Sequence, residues 1–176
     1  YRYCDLAIMA PIHPRMHKTP MLLAGPYAEA GLEALNSLDM EARPVGDKVG
    51  QASSIKMLRS IAVKGLEALT TELSLAAIEA GVEDAVFQSL EASYPGFDWR
   101  KRAAYNLERM TTHGIRRAEE MREVVKTIED LGHQATTTKG TVERQQELGQ
   151  LGLTLSEDSP LNELVGQVAS AIKSKP

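Results

Sequence analysis

Lys56, Arg59 and Ser60 fall within one helical turn, just after the run Val45-Gly46-Asp47-Lys48-Val49-Gly50-Gln51-Ala52-Ser53-Ser54-Ile55. Side chains at i, i+3 and i+4 share a helix face. An amine, a guanidinium and a hydroxyl are thereby presented together. A lysine beside a permanent cation is pushed toward its neutral form, which suits a residue that exchanges a proton with substrate. Arg keeps its charge and offers a planar fork of donors for a carboxylate or phosphate. A second group of polar side chains, His13 and His17, sits in a loop rich in Pro that follows a short apolar run. Loops beyond the carboxyl ends of strands are where ligands enter an α/β sheet. His113 stands alone near a glycine, Gly114.

These residues need a frame, and the apolar pattern supplies one. Residues 5–10 read as a short buried strand stopped by Pro11, and residues 21–24 as a second strand ended by Gly25-Pro26. Residues 27–38 form an amphipathic helix, and residues 41–45 a third strand. From Gln51 to Ala80 the chain has no Pro and one glycine, Gly65. Leu58, Ala62, Leu66, Leu69, Leu73 and Ala76 recur at helical steps and others, such as Ile61 and Val63, lie off that stripe, which predicts a long helix apolar on several sides and wrapped by others. Further helices are expected over 82–93, from Trp99 to about Thr112 with Asp98 as N-cap, 115–131, 141–151 and 161–173. Gly114 would mark a break between two of them, residues 133–140 a loop, and Pro160 the first position of the last helix. Trp99, Tyr105 and Met110 are expected in the core; Glu119, Glu120 and Asp158 could suggest carboxylate catalysis, but solvated helical faces explain Glu119 and Glu120. The fold class that follows is mostly α. A remnant of an α/β domain, with about three short strands (residues 1–50), precedes a long helix and an all-helical domain (51–176).

Composition excludes several classes of function. The net charge of −4 and the alternation of acids with bases, as in Arg116-Arg117-Ala118-Glu119-Glu120, argue against a nucleic-acid binder. A single cysteine, Cys4, rules out a disulfide framework within the chain and fits a cytoplasmic protein. No apolar run approaches the length of a membrane span. His13 and His17 have no third and fourth partner in sequence, so no metal site is expected.

The segments together resemble the β-hydroxyacid dehydrogenase superfamily, which includes the 3-hydroxyisobutyrate and 6-phosphogluconate dehydrogenases. Asp5-Leu-Ala-Ile-Met-Ala-Pro-Ile, running to Thr19-Pro-Met-Leu-Leu-Ala-Gly25, is similar to that family's Asp-Ala-Pro-Val-Ser-Gly-Gly and Leu-Thr-x-Met-x-Gly-Gly stretches. The glycine-marked turn before Lys56 resembles the approach to its catalytic helix. Lys56-Met-Leu-Arg-Ser60, Lys64-Gly-Leu-Glu-Ala-Leu69, Tyr94-Pro-Gly-Phe-Asp-Trp99 and the run from His113 to Met121 are similar to a branch with a phosphogluconate-dehydrogenase-like helical C-terminal domain.

The resemblance implies an NAD(P)-dependent oxidoreductase acting on a hydroxyacid-like substrate, phosphorylated or not. Lys56 would be its general acid/base, with Arg59 and Ser60 in place of the family's Asn. Met9-Ala10-Pro11 fall on the substrate-carboxylate loop, where they offer no hydroxyl and Pro11 no N–H. His13 and His17 would border the substrate. His113 falls on a functional Lys-Asp pair of the family and is assigned to the cofactor. The resemblance further implies that the α/β remnant is of Rossmann type, that the long helix is interdomain, and that a homodimer forms through the helical domain. No Gly-x-Gly-x-x-Gly is present, so the main NAD or NADP motif is expected to precede Tyr1. Two alternatives remain open. One is an imine reductase on the same architecture, although that group generally carries Asp or Tyr where Lys56 stands. The other is a helical dimerisation module without chemistry of its own.

Overall fold

The computed structural model describes residues 2–156 and 159–174; Asp158 lies outside them. The chain divides into two units, Tyr1–Arg59 and Ser60–Pro176.

In the first unit, β1 (Asp5–Ile8), β2 (Met21–Ala24) and β3 (Ala42–Gly46) form a sheet in the order β1-β2-β3. β1 runs antiparallel to β2 and β2 parallel to β3, with an irregularity at Leu23/Ala24. The parallel pair needs a crossover, and α1 (Ala28–Ser37) provides it. β1 alternates buried and exposed, as a strand with one covered face should. It ends at Ile8, not at residue 10, although the Met9 N–H still bonds Pro20 O at 2.9 Å. Ala7, Leu22, Ala24 and Ala52 form the core of one sheet face, with Met9 and Val45 packed against it. Ala52 belongs to the first turn of α2 (Gln51–Glu79), so that helix begins directly on the sheet.

The second unit holds the remainder of α2, with α3 (Glu83–Ser93), α4 (Trp99–Asp130), α5 (Thr136–Gly149) and α6 (Leu161–Lys173). Phe87, Leu107, Met110, Leu148, Leu164 and Val168 are central to its core. α4 and α5 form an antiparallel hairpin: Lys139 pairs with Glu129, and Arg122 reaches Gln146. Asp98 caps α4 as expected, accepting from the Lys101 N–H at 2.9 Å.

The structure corrects several expectations. Gly114 does not break a helix. α4 runs through it unbroken because a glycine there lets α5 approach: a Cβ at Gly114 would stand 2.3 Å from the Gln145 carbonyl oxygen. α5 starts at Thr136, inside the expected loop, because Thr138 and Thr141 are buried and packing overrides their modest helix propensity. Pro160 is the N-cap of α6, with extended backbone, and not its first helical residue. Tyr105 is 43% exposed, whereas Met110 is fully buried.

Nor is α2 wrapped on all sides, as its apolar residues lead one to expect: Leu73 packs on the core and Ala68 and Ala77 are buried, but one side is open. In the second unit Leu69 is 62% exposed and Ala62 and Ala76 are exposed, while Lys64, Glu67, Thr70, Thr71 and Ser74 are buried. The buried face is held by polar contacts. Asn106 Nδ2 donates to Thr70 Oγ1 at 2.9 Å. Arg117 donates to both carboxylate oxygens of Glu67, and Gln145 Nε2 donates to one of them at 2.8 Å. Lys64 Nζ pairs with Glu120 at 2.8 Å, so Glu120 is half-buried and partnered rather than freely solvated.

Candidate functional site

Asp5 is the residue that fixes the first turn of α2. It opens β1, is 6% exposed, and its two carboxylate oxygens accept from Ser53: the backbone N–H at 2.9 Å and the hydroxyl at 2.5 Å. Burial alone would raise its carboxyl. The Ser53 hydrogen bonds, with help from the backbone at Ala52 and Gly50, outweigh it and hold the group below its ordinary value. Gly50, with φ +97, gives the sharp entry into the helix that only a residue without Cβ adopts freely. Sequence reading used Asp5 only as part of a resemblance and missed this role.

Lys56 follows in the next turn and is exposed. Arg59, one turn further, is exposed and lines a cavity of about 410 Å3 together with Met9, Leu22, Glu41, Arg43 and Ile55. Two candidate residues distant in sequence, Met9 and Arg59, therefore meet at one cavity, and both belong to the first unit. Ala10 is half-buried beside Met9; Pro11, His13 and His17 are exposed. His17 is turned toward Asp39, with Nε2 3.7 Å from its carboxylate, and Lys18 pairs with the same acid. Neither His13 nor His17 lines the Met9–Arg59 cavity. Arg43 and Glu41 are lining residues that the sequence did not single out, because a strand-edge position carries no motif.

Ser60 and His113 belong to the second unit, where both are half-buried. His113 lies on α4, and burial lowers its pKa from the ordinary histidine value; Arg109, Arg116 and Arg117 push it further down, with Glu108 opposing. The neutral imidazole is thereby favoured.

The first N–H groups of a helix are a natural phosphate cradle. At the β3–α2 junction Asp5 already accepts from the Ser53 N–H of that turn. Among the described residues no cluster of His, Cys, Asp and Glu is arranged to hold a metal ion, and no helix is long and apolar enough to cross a membrane.

A small mixed sheet with a crossover helix, feeding a long helix and a helical unit, is the architecture of a dehydrogenase-like protein with a Rossmann-type piece. Residues 77–148 match the domain of unknown function DUF1932. The chain is 31% identical over 127 residues to an uncharacterized 28.5 kDa protein of Methanothermus fervidus, covering 72% of this chain and 49% of that protein. A conserved hypothetical protein from Sinorhizobium meliloti 1021 superposes with TM-score 0.84 at 37% identity, over 96% of this chain and 57% of the other. A conserved protein whose structure is described as similar to 3-hydroxyacid dehydrogenases superposes with TM-score 0.74 at 31% identity, over 84% of this chain and 56% of that one. DUF1932 is the C-terminal helical domain of 3-hydroxyacid dehydrogenase-like proteins, and the chain is similar to proteins of that kind. The chain spans about half the length of these relatives.

Proposed function

We propose that this chain supplies the proton-transfer side of an NAD(P)-dependent oxidoreductase acting on a hydroxyacid-like substrate, phosphorylated or not. The observation that carries the reading is the meeting of Met9 and Arg59 at one cavity. It brings a residue of the proposed substrate loop to the helix that bears Lys56. The nicotinamide, when bound, supplies or accepts a hydride. Lys56 gives or takes the proton on the substrate oxygen, Arg59 and Ser60 orient it, and Met9, Ala10 and Pro11 border the substrate with His13 and His17 at the loop side. His113, kept neutral, is assigned to the cofactor. In this reading residues 1–50 are the C-terminal part of a Rossmann-type domain and 51–176 the helical domain. The protein is cytoplasmic, consistent with its lone Cys4, which forms no disulfide. A panel of short hydroxyacids, with and without a phosphate, assayed with NAD and NADP on the full-length protein tests this. Turnover is expected on at least one; none on any would refute it.

The helical unit serves as a homodimer interface in the same reading. The open side of α2 favours it: Leu69, Ala62 and Ala76 are exposed. A wide apolar face on a helix calls for a partner. Sedimentation should give a dimer for the wild type and a monomer for Leu69→Glu; a wild-type monomer contradicts it.

A further inference from the structure

We propose that Arg43 and Arg59 form a carboxylate-binding subsite that clamps the acid group of the substrate; the identity of the guest as substrate rests on the dehydrogenase reading above. The two residues come from different elements. Arg43 lies on β3 opposite Leu22 of β2, whose side chain belongs to the sheet core packed on Ala52 of α2. Ile55 and Arg59 are one turn apart on that helix. Strand and helix thus bring both arginines to the lining of one cavity of about 410 Å3, within the range of small-molecule sites.

Five other arginines, Arg100, Arg116, Arg117, Arg122 and Arg144, are committed to acids of the chain. Among the described residues Arg43 and Arg59 have no such ion pair, and they share a cavity. Its wall is otherwise largely apolar, with Met9, Leu22 and Ile55. Glu41 is the acid of the lining, so two positive charges and one negative leave a net charge of +1. That balance suits a monoanion. A phosphate monoester carries about −1.5 to −2 near neutrality and would be left partly uncompensated. A planar carboxylate also matches the guanidinium fork. The apolar wall fits a short aliphatic body. The clamp takes over a task for which Met9-Ala10-Pro11 offer no hydroxyl.

The test is an NMR titration of the full chain at constant ionic strength, with 3-hydroxypropionate, its methyl ester and inorganic phosphate as probes. Circular dichroism checks the fold of each variant. The carboxylate should bind the wild type more tightly than either other probe, and Arg43→Ala and Arg59→Ala should each weaken it about tenfold, equivalent to about 1.4 kcal/mol. Affinity for the carboxylate within roughly twofold of wild type in the double variant, or no binding by the wild type, overturns the subsite. Tighter binding of phosphate than of the carboxylate overturns the carboxylate assignment. Lys56→Ala separates the two ideas. Carboxylate affinity insensitive to the arginines alongside turnover lost in Lys56→Ala removes the subsite and leaves the dehydrogenase reading. Arginine-dependent affinity with turnover unchanged in Lys56→Ala does the reverse.

Discussion

Asp5 and Ser53, 48 residues apart, make a two-point contact in which one carboxylate accepts both the hydroxyl and the backbone N–H of the same serine. The strand that opens the sheet thereby holds the first turn of the helix that carries Lys56 and Arg59. A side chain from outside a helix acts as its cap, filling donors that the helix leaves without internal partners. The contact ties β1 to the turn that precedes Lys56.

Asp5→Asn should destabilise the fold by about 1–3 kcal/mol, because the amide nitrogen cannot accept from Ser53 and leaves a buried donor without its partner. Urea denaturation at neutral pH measures it. The acid limb adds a second signature. A carboxyl held below its ordinary value contributes stability above 3.8 that is lost as the pH falls through the folded-state value. The wild type should lose its advantage over Asp5→Asn in that acid range. A constant difference between the two down to about pH 2 would contradict the role.

Glu67 and Arg117 form the most deeply buried ion pair among the described residues, with side chains 3% and 12% exposed. Glu67→Ala strands the guanidinium and should cost about 3–5 kcal/mol. Replacing both with leucine removes the stranded charge and should cost markedly less than Glu67→Ala alone. Chemical denaturation of the three proteins decides this. Equal losses would show that packing at position 67, and not the charge, holds α2 to α4 and α5.

Gly114→Ala should destabilise the helical unit by at least about 1–3 kcal/mol, since the added methyl has to displace backbone of α5. Gly149→Ala meets the Ile115 nitrogen at 2.4 Å and should behave alike. Gly140 lies in the same helix as Gly149, and a methyl added there would meet nothing within 4 Å, so Gly140→Ala should be neutral or stabilising by about 0.4–1 kcal/mol. Thermal melts of the three variants give the comparison, and a loss in Gly140→Ala as large as in Gly114→Ala would contradict the close-approach explanation.

His113 makes stability depend on pH in the opposite sense to a salt-bridged histidine. Its folded-state pKa is lowered, so the unfolded chain takes up the proton first as the pH drops through about 6.5. Stability should therefore decrease from about pH 7.5 toward about pH 5.5, and His113→Gln should flatten that part of the profile. A wild-type melting temperature that rises on acidification over this range, relative to the variant, would reverse the assignment.

Much of the frame was legible from local signals. β2 ends where Gly25-Pro26 require it, Asp98 caps α4, and α6 spans residues 161–173 as its apolar spacing indicates. What escaped was non-local. Gly114 looks like a helix breaker until Gly149 is seen against it. Thr136 and its neighbours look like loop because the packing of Thr138 and Thr141 is not written in their propensity. The periodicity of α2 identifies a stripe but not which side of the helix is covered, and Glu67, Thr70 and Ser74 are buried through partners on other helices. At the candidate site, Lys56 and Arg59 stood out by spacing and Met9 by resemblance. Arg43 and the capping role of Asp5 depend on strand–helix packing, which spacing along the chain does not encode.

The most direct measurement is the turnover of Lys56→Ala in the full-length protein, with affinity for NAD and NADP measured in parallel. A proton-transferring Lys56 predicts a fall of about 10²–10⁴-fold in kcat with cofactor affinity retained. Unchanged turnover with cofactor bound would contradict it.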